Sequence, residues 1–376
     1  MPPETRVCFI YCSPVEADSS RFATLPVKRM ARVCSEAPIS FHAVYSGQLN
    51  ADILERAGVT THRVPAPSHD NPLLKAPWLY QTTKKVVRDY DIDILTNVWS
   101  HYEMAPVAMA SGPASVALRI VGEPISDPTL SSGLGALKGR IGRGLERLSV
   151  RASDVAYFNS HSLKARFEAR VALPPIAPVI SQGVDTSRFT PGPVEVLEEP
   201  CFVFVGRLDS KRKGIGRTVQ AFEQFRERNE SGTLVLAGRG ELPPAIQGTV
   251  DTLPDVELVG HLPHEELTTL YREATALLLL SESEALPNVV LEAMASGLPV
   301  IATPVGDVPR LLDEGRGRIV NDASVEQVVS QMETIAEDPE LRDELISKSR
   351  SYIEAEHSFQ AVSKSFTKLF WGKMGQ

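Results

Sequence analysis

Short apolar runs alternate along this chain with longer stretches in which apolar residues recur every three or four positions. The first pattern suits strands buried on both faces, the second suits helices packed on one side. Their alternation predicts βαβ units and parallel sheets. Strands are expected at 7–13, 39–45, 94–99, 115–121 and 155–159 in the first half. In the second half they are expected at 201–205, 233–237, 256–259, 276–280, 299–303 and 318–320. Helical spacing fills the intervals, as at 215–228 and 265–274. Proline clusters at Leu173-Pro174-Pro175 and Thr190-Pro191-Gly192-Pro193 mark a break between two such sheets. The expectation is two Rossmann-like α/β domains, 1–178 and 179–355, and a terminal helix at 356–376. That helix carries Phe359, Val362, Phe366, Leu369 and Phe370 on one face. Such a face must be buried, and packing back onto the first domain is the expected solution.

Composition narrows the function. The chain has 376 residues, 43% of them apolar, enough for two ordinary cores. A net charge of −8 argues against general nucleic-acid binding. Cys8, Cys12, Cys34 and Cys201 have no zinc-type spacing and read as reduced thiols. No stretch reaches the ~20 apolar residues that span a bilayer, and the N-terminal apolar run is too short for a signal peptide. A cytoplasmic protein is expected, with the inner membrane face as an optional place of contact. Asp91-Ile92-Asp93 mimics a metal-binding DxD, but it sits at a strand start with no partner acid and reads as a solvated turn. Neither a metal nor a cofactor is expected.

The chemistry concentrates in 283–297, SEALPNVVLEAMASG. Glu284 and Glu292 stand eight positions apart around the turn Leu286-Pro287-Asn288, and an apolar helix follows. The flanking strands put this segment at the carboxyl edge of a parallel sheet, where open α/β sheets bind ligands. Backbone N–H groups at a helix start favour an anion there. Carboxylates around an anion site suit a ligand with both hydroxyls and phosphates, such as a nucleotide sugar. Three other strands end in glycine beside a polar residue: Gly206-Arg207, with Lys213 six residues on, Gly238-Arg239-Gly240, and Gly260-His261. Arg207 as a fork and Lys213 as a point charge can converge on a diphosphate.

In that order and spacing, these motifs resemble glycosyltransferase family 4, together with Gly297-Leu298-Pro299-Val300, the segment 180–189 and Asn159-Ser160. The resemblance covers most of 155–320. It implies the GT-B fold, two Rossmann-like domains facing each other across a cleft, and retention of anomeric configuration without a metal. Carried over, Arg207 and Lys213 neutralise the donor diphosphate and Glu292 accepts from ribose hydroxyls. Glu284 of the E-x7-E element contacts the transferred sugar. The backbone of Leu286, Pro287, Asn288 and Val289 holds sugar and phosphate. Gly206, Gly238 and Arg239 line the donor site, with Gly260 and His261 near the base. The implied partners are a UDP-, GDP- or ADP-sugar and a glycan, lipid-linked or small-molecule acceptor.

The first half departs from the family. Its loop at 13–21, beginning at Ser13, has no glycine where relatives carry a glycine-rich turn. Arg119 stands where many relatives place a histidine. An arginine can neutralise charge but is no base at neutral pH; its alternative is pairing with Glu123 or Asp127. Ser13 and His101 are acceptor-side candidates, His101 equally a satisfied loop residue. The stretch 134–151 sets Leu134, Leu137, Ile141, Leu145 and Leu148 among Lys138, Arg140, Arg143, Arg147 and Arg151. A basic amphipathic helix of this kind suits peripheral contact with anionic membrane, or packing on the first domain with a basic outer face. Two rivals share the fold-level signal: a nucleotide-sugar epimerase and a catalytically silent nucleotide-sugar-binding protein.

Overall fold

Two six-stranded sheets, parallel throughout, organise the protein in this computed structural model. It describes residues 4–11, 27–28, 30–32, 34, 39–67, 74–98, 103–121, 133–192, 199–253, 255–321 and 324–372. The chain divides into two compact units, Met1–Ser181 with Val362–Gln376, and Gln182–Ala361.

The first sheet holds β1 (Thr5–Ile10), β2 (Ile39–Tyr45), β3 (Val59–Arg63), β4 (Ile94–Asn97), β5 (Ser115–Ile120) and β6 (Val155–Phe158). Their order is β3-β2-β1-β4-β5-β6. The second holds β7 (Cys201–Val205), β8 (Thr233–Ala237), β9 (Val256–Gly260), β10 (Ala276–Leu279), β11 (Val300–Ala302) and β12 (Arg318–Ile319). Its order, β12-β11-β10-β7-β8-β9, repeats the first when each set is counted from its own first strand. This is the doubly wound arrangement, in which strand order reverses beside the first strand of the set. Ligand crevices open at that reversal, outside the carboxyl ends of the strands. The reversals lie between β1 and β4 and between β7 and β10.

Period-two alternation explains why both faces of the second sheet are covered. Phe202, Phe204, Leu234, Leu236, Ala276 and Leu278 point into one apolar cluster with Phe222 and Met332. Val203, Val235, Leu277 and Leu279 point into another with Val290, Leu291 and Met294. The all-apolar run at 276–280 thus serves two cores at once. In the first unit Ile10, Leu95, Leu118 and Phe158 form a core with Leu79, Val86, Leu163 and Phe167 from helices.

β3 is absent from the sequence expectation. Its residues, VTTHR, bury only Val59 fully, because it lies at the sheet edge, so no apolar alternation announces it. Asp91-Ile92-Asp93 is a turn bound to the first strand. Arg6 donates its backbone N–H to Asp93 Oδ2 at 2.7 Å and its guanidinium to Asp91 Oδ2 at 2.5 Å. Among the described residues no helix is long and apolar enough to cross a membrane. Cys8, Cys34 and Cys201 are unbonded thiols, and Cys12 lies outside the described residues.

The terminal helix Phe359–Gly372 belongs to the first unit from Val362 onward. There Tyr157 of β6 meets Phe366 and Phe370 edge-on, at ring distances of 5.7 and 6.3 Å.

Candidate active site

The reversal between β7 and β10 is built from two loops that interlock. After β7 the chain runs through Gly206 and Arg207 to a short 3-10 turn, Lys211–Lys213, and then into the helix Ile215–Arg228. After β10 it runs through Ser281 to Glu284 and into the helix Asn288–Ala295. Glu282 donates its N–H to Arg212 O at 2.8 Å, and Arg217 Nη2 donates to Glu282 Oε1 at 2.9 Å. Between them Lys213 Nζ donates to Glu284 Oε1 at 2.6 Å, in a half-buried pair 71 residues apart in sequence. Ser281 Oγ donates to the same oxygen at 3.1 Å. The cation and the carboxylate are thereby fixed side by side at the crevice.

Gly214 makes this approach feasible. Its φ is +73°, and a Cβ there would stand 2.0 Å from Leu280 O. Only glycine lets the loop after β7 lie against the end of β10. Gly238 does the same between β8 and β7: at φ +153° its Cβ would meet Gly206 O at 1.6 Å. The ladder continues past the strand ends, with Gly206 N–H to Ala237 O at 3.0 Å and Gly238 N–H to Gly260 O at 2.7 Å. Gly206, Gly238 and Gly260 therefore line one edge of the sheet. Arg239 and His261 beside them are exposed.

Glu292 lies in the second turn of the Asn288–Ala295 helix and is only 8% exposed. Tyr271 stands close enough that burial, and then the Glu292 charge, push its phenol well above the ordinary value. Leu286 and Pro287 are buried ahead of the helix, with Asn288 and Val289 half-buried at its start. The Asp307 N–H braces this loop from the far side, donating to Ala285 O at 2.9 Å.

Arg207 does not join Lys213. Its side chain is largely exposed and forks onto Asp209, with Nε to Oδ1 at 3.0 Å and Nη2 to Oδ2 at 2.6 Å. The fork holds the Asp209 carboxyl below its ordinary value. Convergence of Arg207 and Lys213 on one anion requires Arg207 to leave Asp209. Sequence reasoning passed over Asp209 although it is two positions from Arg207, and Ser281 although it is three from Glu284. Tyr271 leaves no signal at all, since its place beside Glu292 is set by the fold.

In the first unit, Arg119 is 9% exposed at the carboxyl end of β5. Its Nη1 donates to Val98 O at 2.8 Å, and its backbone exchanges two bonds with the Asn97 side chain at 2.7 and 2.8 Å. Its charge acts on the buried phenols of Tyr11 and Tyr157. Ser13, His101, Glu123 and Asp127 lie outside the described residues. No cluster of three or more His, Cys, Asp or Glu side chains among the described residues could hold a metal ion.

Comparison with known proteins adds kinship. Residues 199–338 match the family model described as "Glycosyl transferases group 1". The chain is 23% identical over 318 residues to the GDP-mannose-dependent monoacylated alpha-(1-6)-phosphatidylinositol monomannoside mannosyltransferase of Corynebacterium glutamicum, covering 79% of this chain and 81% of that one. It is 28% identical over 170 residues to the sulfoquinovosyl transferase of Arabidopsis thaliana, 44% of this chain but only 32% of that protein. A solved structure of the Anabaena HepE protein in complex with UDP-glucose superposes with a TM-score of 0.72 at 15% identity, covering 98% of this chain and 99% of that one. The two doubly wound sheets are those of the GT-B fold. With a matching domain over the second sheet and transferases as relatives along most of its length, this chain is a glycosyltransferase.

Proposed function

We propose that the chain is a retaining, metal-independent hexosyltransferase of the family-4 type, drawing its sugar from a nucleoside diphosphate donor held by the second unit. The observation that carries this is the Lys213–Glu284 bond of 2.6 Å across the β7/β10 reversal. A sugar donor presents hydroxyls next to phosphates, and this pair offers an acceptor next to a cation. When the glycosidic bond breaks, the diphosphate gains negative charge. Lys213, the amides at the start of the Asn288–Ala295 helix, and Arg207 once released from Asp209 favour that state over the bound donor. Glu284, held by Lys213 and Ser281, faces the transferred sugar, and Glu292 takes the ribose hydroxyls. The E-x7-E spacing follows from these roles, since each carboxylate serves one side of the diphosphate. Gly260 and His261 lie on the base side. Acceptor recognition falls to the first unit, with Ser13 and His101 as candidates, while Arg119 is the catalytic candidate there, as a fixed positive charge. The nucleotide sugars named for the mannosyltransferase and for the HepE complex differ, GDP-mannose against UDP-glucose. The base is therefore part of the test.

Purified protein offered UDP-, GDP- and ADP-sugars in the presence of EDTA should release nucleoside diphosphate and yield a product of unchanged anomeric configuration, by mass spectrometry and NMR. Lys213→Ala and Glu292→Gln should each lower kcat by about 10²–10³ with the circular dichroism spectrum unchanged. Ordinary turnover in both variants rejects the site. An inverted product rejects retention, and donor converted to an epimer without acceptor points to the epimerase alternative.

A further inference from the structure

Over 140–152, the part of the helix Gly133–Ala152 whose side chains are described, part of the aliphatic stripe faces outward. A surface helix ordinarily buries its aliphatic stripe and exposes its charges. Here Ser149 and Val150 are buried, and so is Glu146, the only acid among its twenty residues. Ser149 Oγ accepts from the Ala105 N–H at 3.0 Å, which fixes this side against the helix Ala105–Ala110. Over 140–152 the outward face consists of two adjoining stripes. One carries Arg140, Arg147 and Arg151, all exposed. The other carries Ile141 and Leu148, seven residues apart, 38% and 50% exposed. Leu145 is half-buried at the margin. The neighbouring helix Ala105–Ala110 has no charged residue and leaves Met109 72% exposed.

We propose that this face is a docking surface for an anionic lipid bilayer. Exposed aliphatics beside a row of arginines need a partner that is apolar within and anionic at its surface. A bilayer with acidic headgroups supplies both: the arginines meet phosphates while Ile141 and Leu148 enter the headgroup and acyl boundary. A nucleic acid would satisfy only the arginines. A second copy of this chain on a two-fold axis would bring arginines against arginines. The helix carries five basic residues within a chain whose net charge is −8, so the attraction is local and orients the protein on the surface. The inference stands apart from the donor site, because binding to lipid needs no turnover.

The test is flotation of the full-length protein with vesicles of phosphatidylcholine alone, or containing about 30% phosphatidylglycerol. Wild-type protein should float with the anionic vesicles at low salt, stay down with the neutral ones, and be released at about 0.5 M salt. Arg140→Glu with Arg147→Glu should weaken binding by at least about 30-fold. Ile141→Ser with Leu148→Ser should weaken it about 10-fold. All four positions are exposed, so both double variants should keep the wild-type thermal midpoint. Wild-type protein left at the bottom at low salt overturns the proposal, as does a charge-reversed variant that floats as well as wild type. A wild-type dimer that the Ile141/Leu148 variant dissociates, with no flotation, overturns it in favour of self-contact.

Discussion

At Gly214 a missing side chain decides the geometry of the site. The residue sits at φ +73°, with the Leu280 carbonyl where a Cβ would be. Gly214→Ala must therefore push the loop after β7 away from β10. The expected loss is about 2–4 kcal/mol of stability in the second unit, from the left-handed backbone and the overpacking together. Because the Lys213–Glu284 bond depends on the same approach, transfer should fall with it. Denaturant unfolding and a transfer assay on the same sample check both, and an alanine variant of wild-type stability refutes the account. The sequence announced the residue types here but not their pairing. Lys213 and Glu284 were each legible as candidates from their strand ends. That they bond to each other, while Arg207 turns to Asp209, is a matter of side-chain geometry across 71 residues, which no local pattern encodes.

Among elements, the strands were the most legible, and of those described only β3 was missed. The runs at 201–205 and 233–237 announce β7 and β8 to the residue, because a central parallel strand must be apolar on both faces. β3 escaped notice because its sequence, VTTHR, is polar after Val59 and mimics a loop. The helix Gly133–Ala152 formed despite its glycines, and the sequence left open whether its aliphatic stripe faces the first domain or outward. β3 has its own pH sensitivity. His62 on β3 lies 2.9 Å, Nε2 to Nδ1, from His42 on β2, and stacks on Tyr90. One ring must accept in that bond, so both cannot be protonated while it persists. Burial, and then the His42 charge, lower the His62 pKa from 6.5 to about 4; burial and then Arg6 lower that of His42. Between those values the unfolded chain takes up the proton and the folded chain does not. Stability present above pH 6.5 is therefore lost as pH falls toward about 4. The thermal midpoint of the first unit should drop over that window, and His62→Gln should flatten the drop. An unchanged slope in the variant would assign the loss to other groups.

On the scale of the whole molecule, the chain makes two sheets of the same strand order, and each unit has its own core. The two-domain organisation could be read from the proline breaks and from strand spacing. The tryptophans give a way to watch one unit alone: Trp78, Trp99 and Trp371 all fall within the segments of the first. Phe370, 1% exposed, packs on Phe366 and Tyr157 there. Phe370→Ala should cost about 3–5 kcal/mol. It should shift the tryptophan-fluorescence transition, while the second unit's share of the circular dichroism transition stays in place. An equal shift in both signals would mean that the units unfold as one.

The first unit is assembled from both ends of the sequence, and the second is made of one continuous stretch. On a ribosome this reverses the usual order of completion, in which the N-terminal domain matures first. A nascent chain halted just short of Val362 already contains the whole second unit, yet the aromatic residues that pack on Tyr157 have not been synthesised. The domain begun first is the last to close, and its unfinished core is the part of the newborn chain that a chaperone would have to shield.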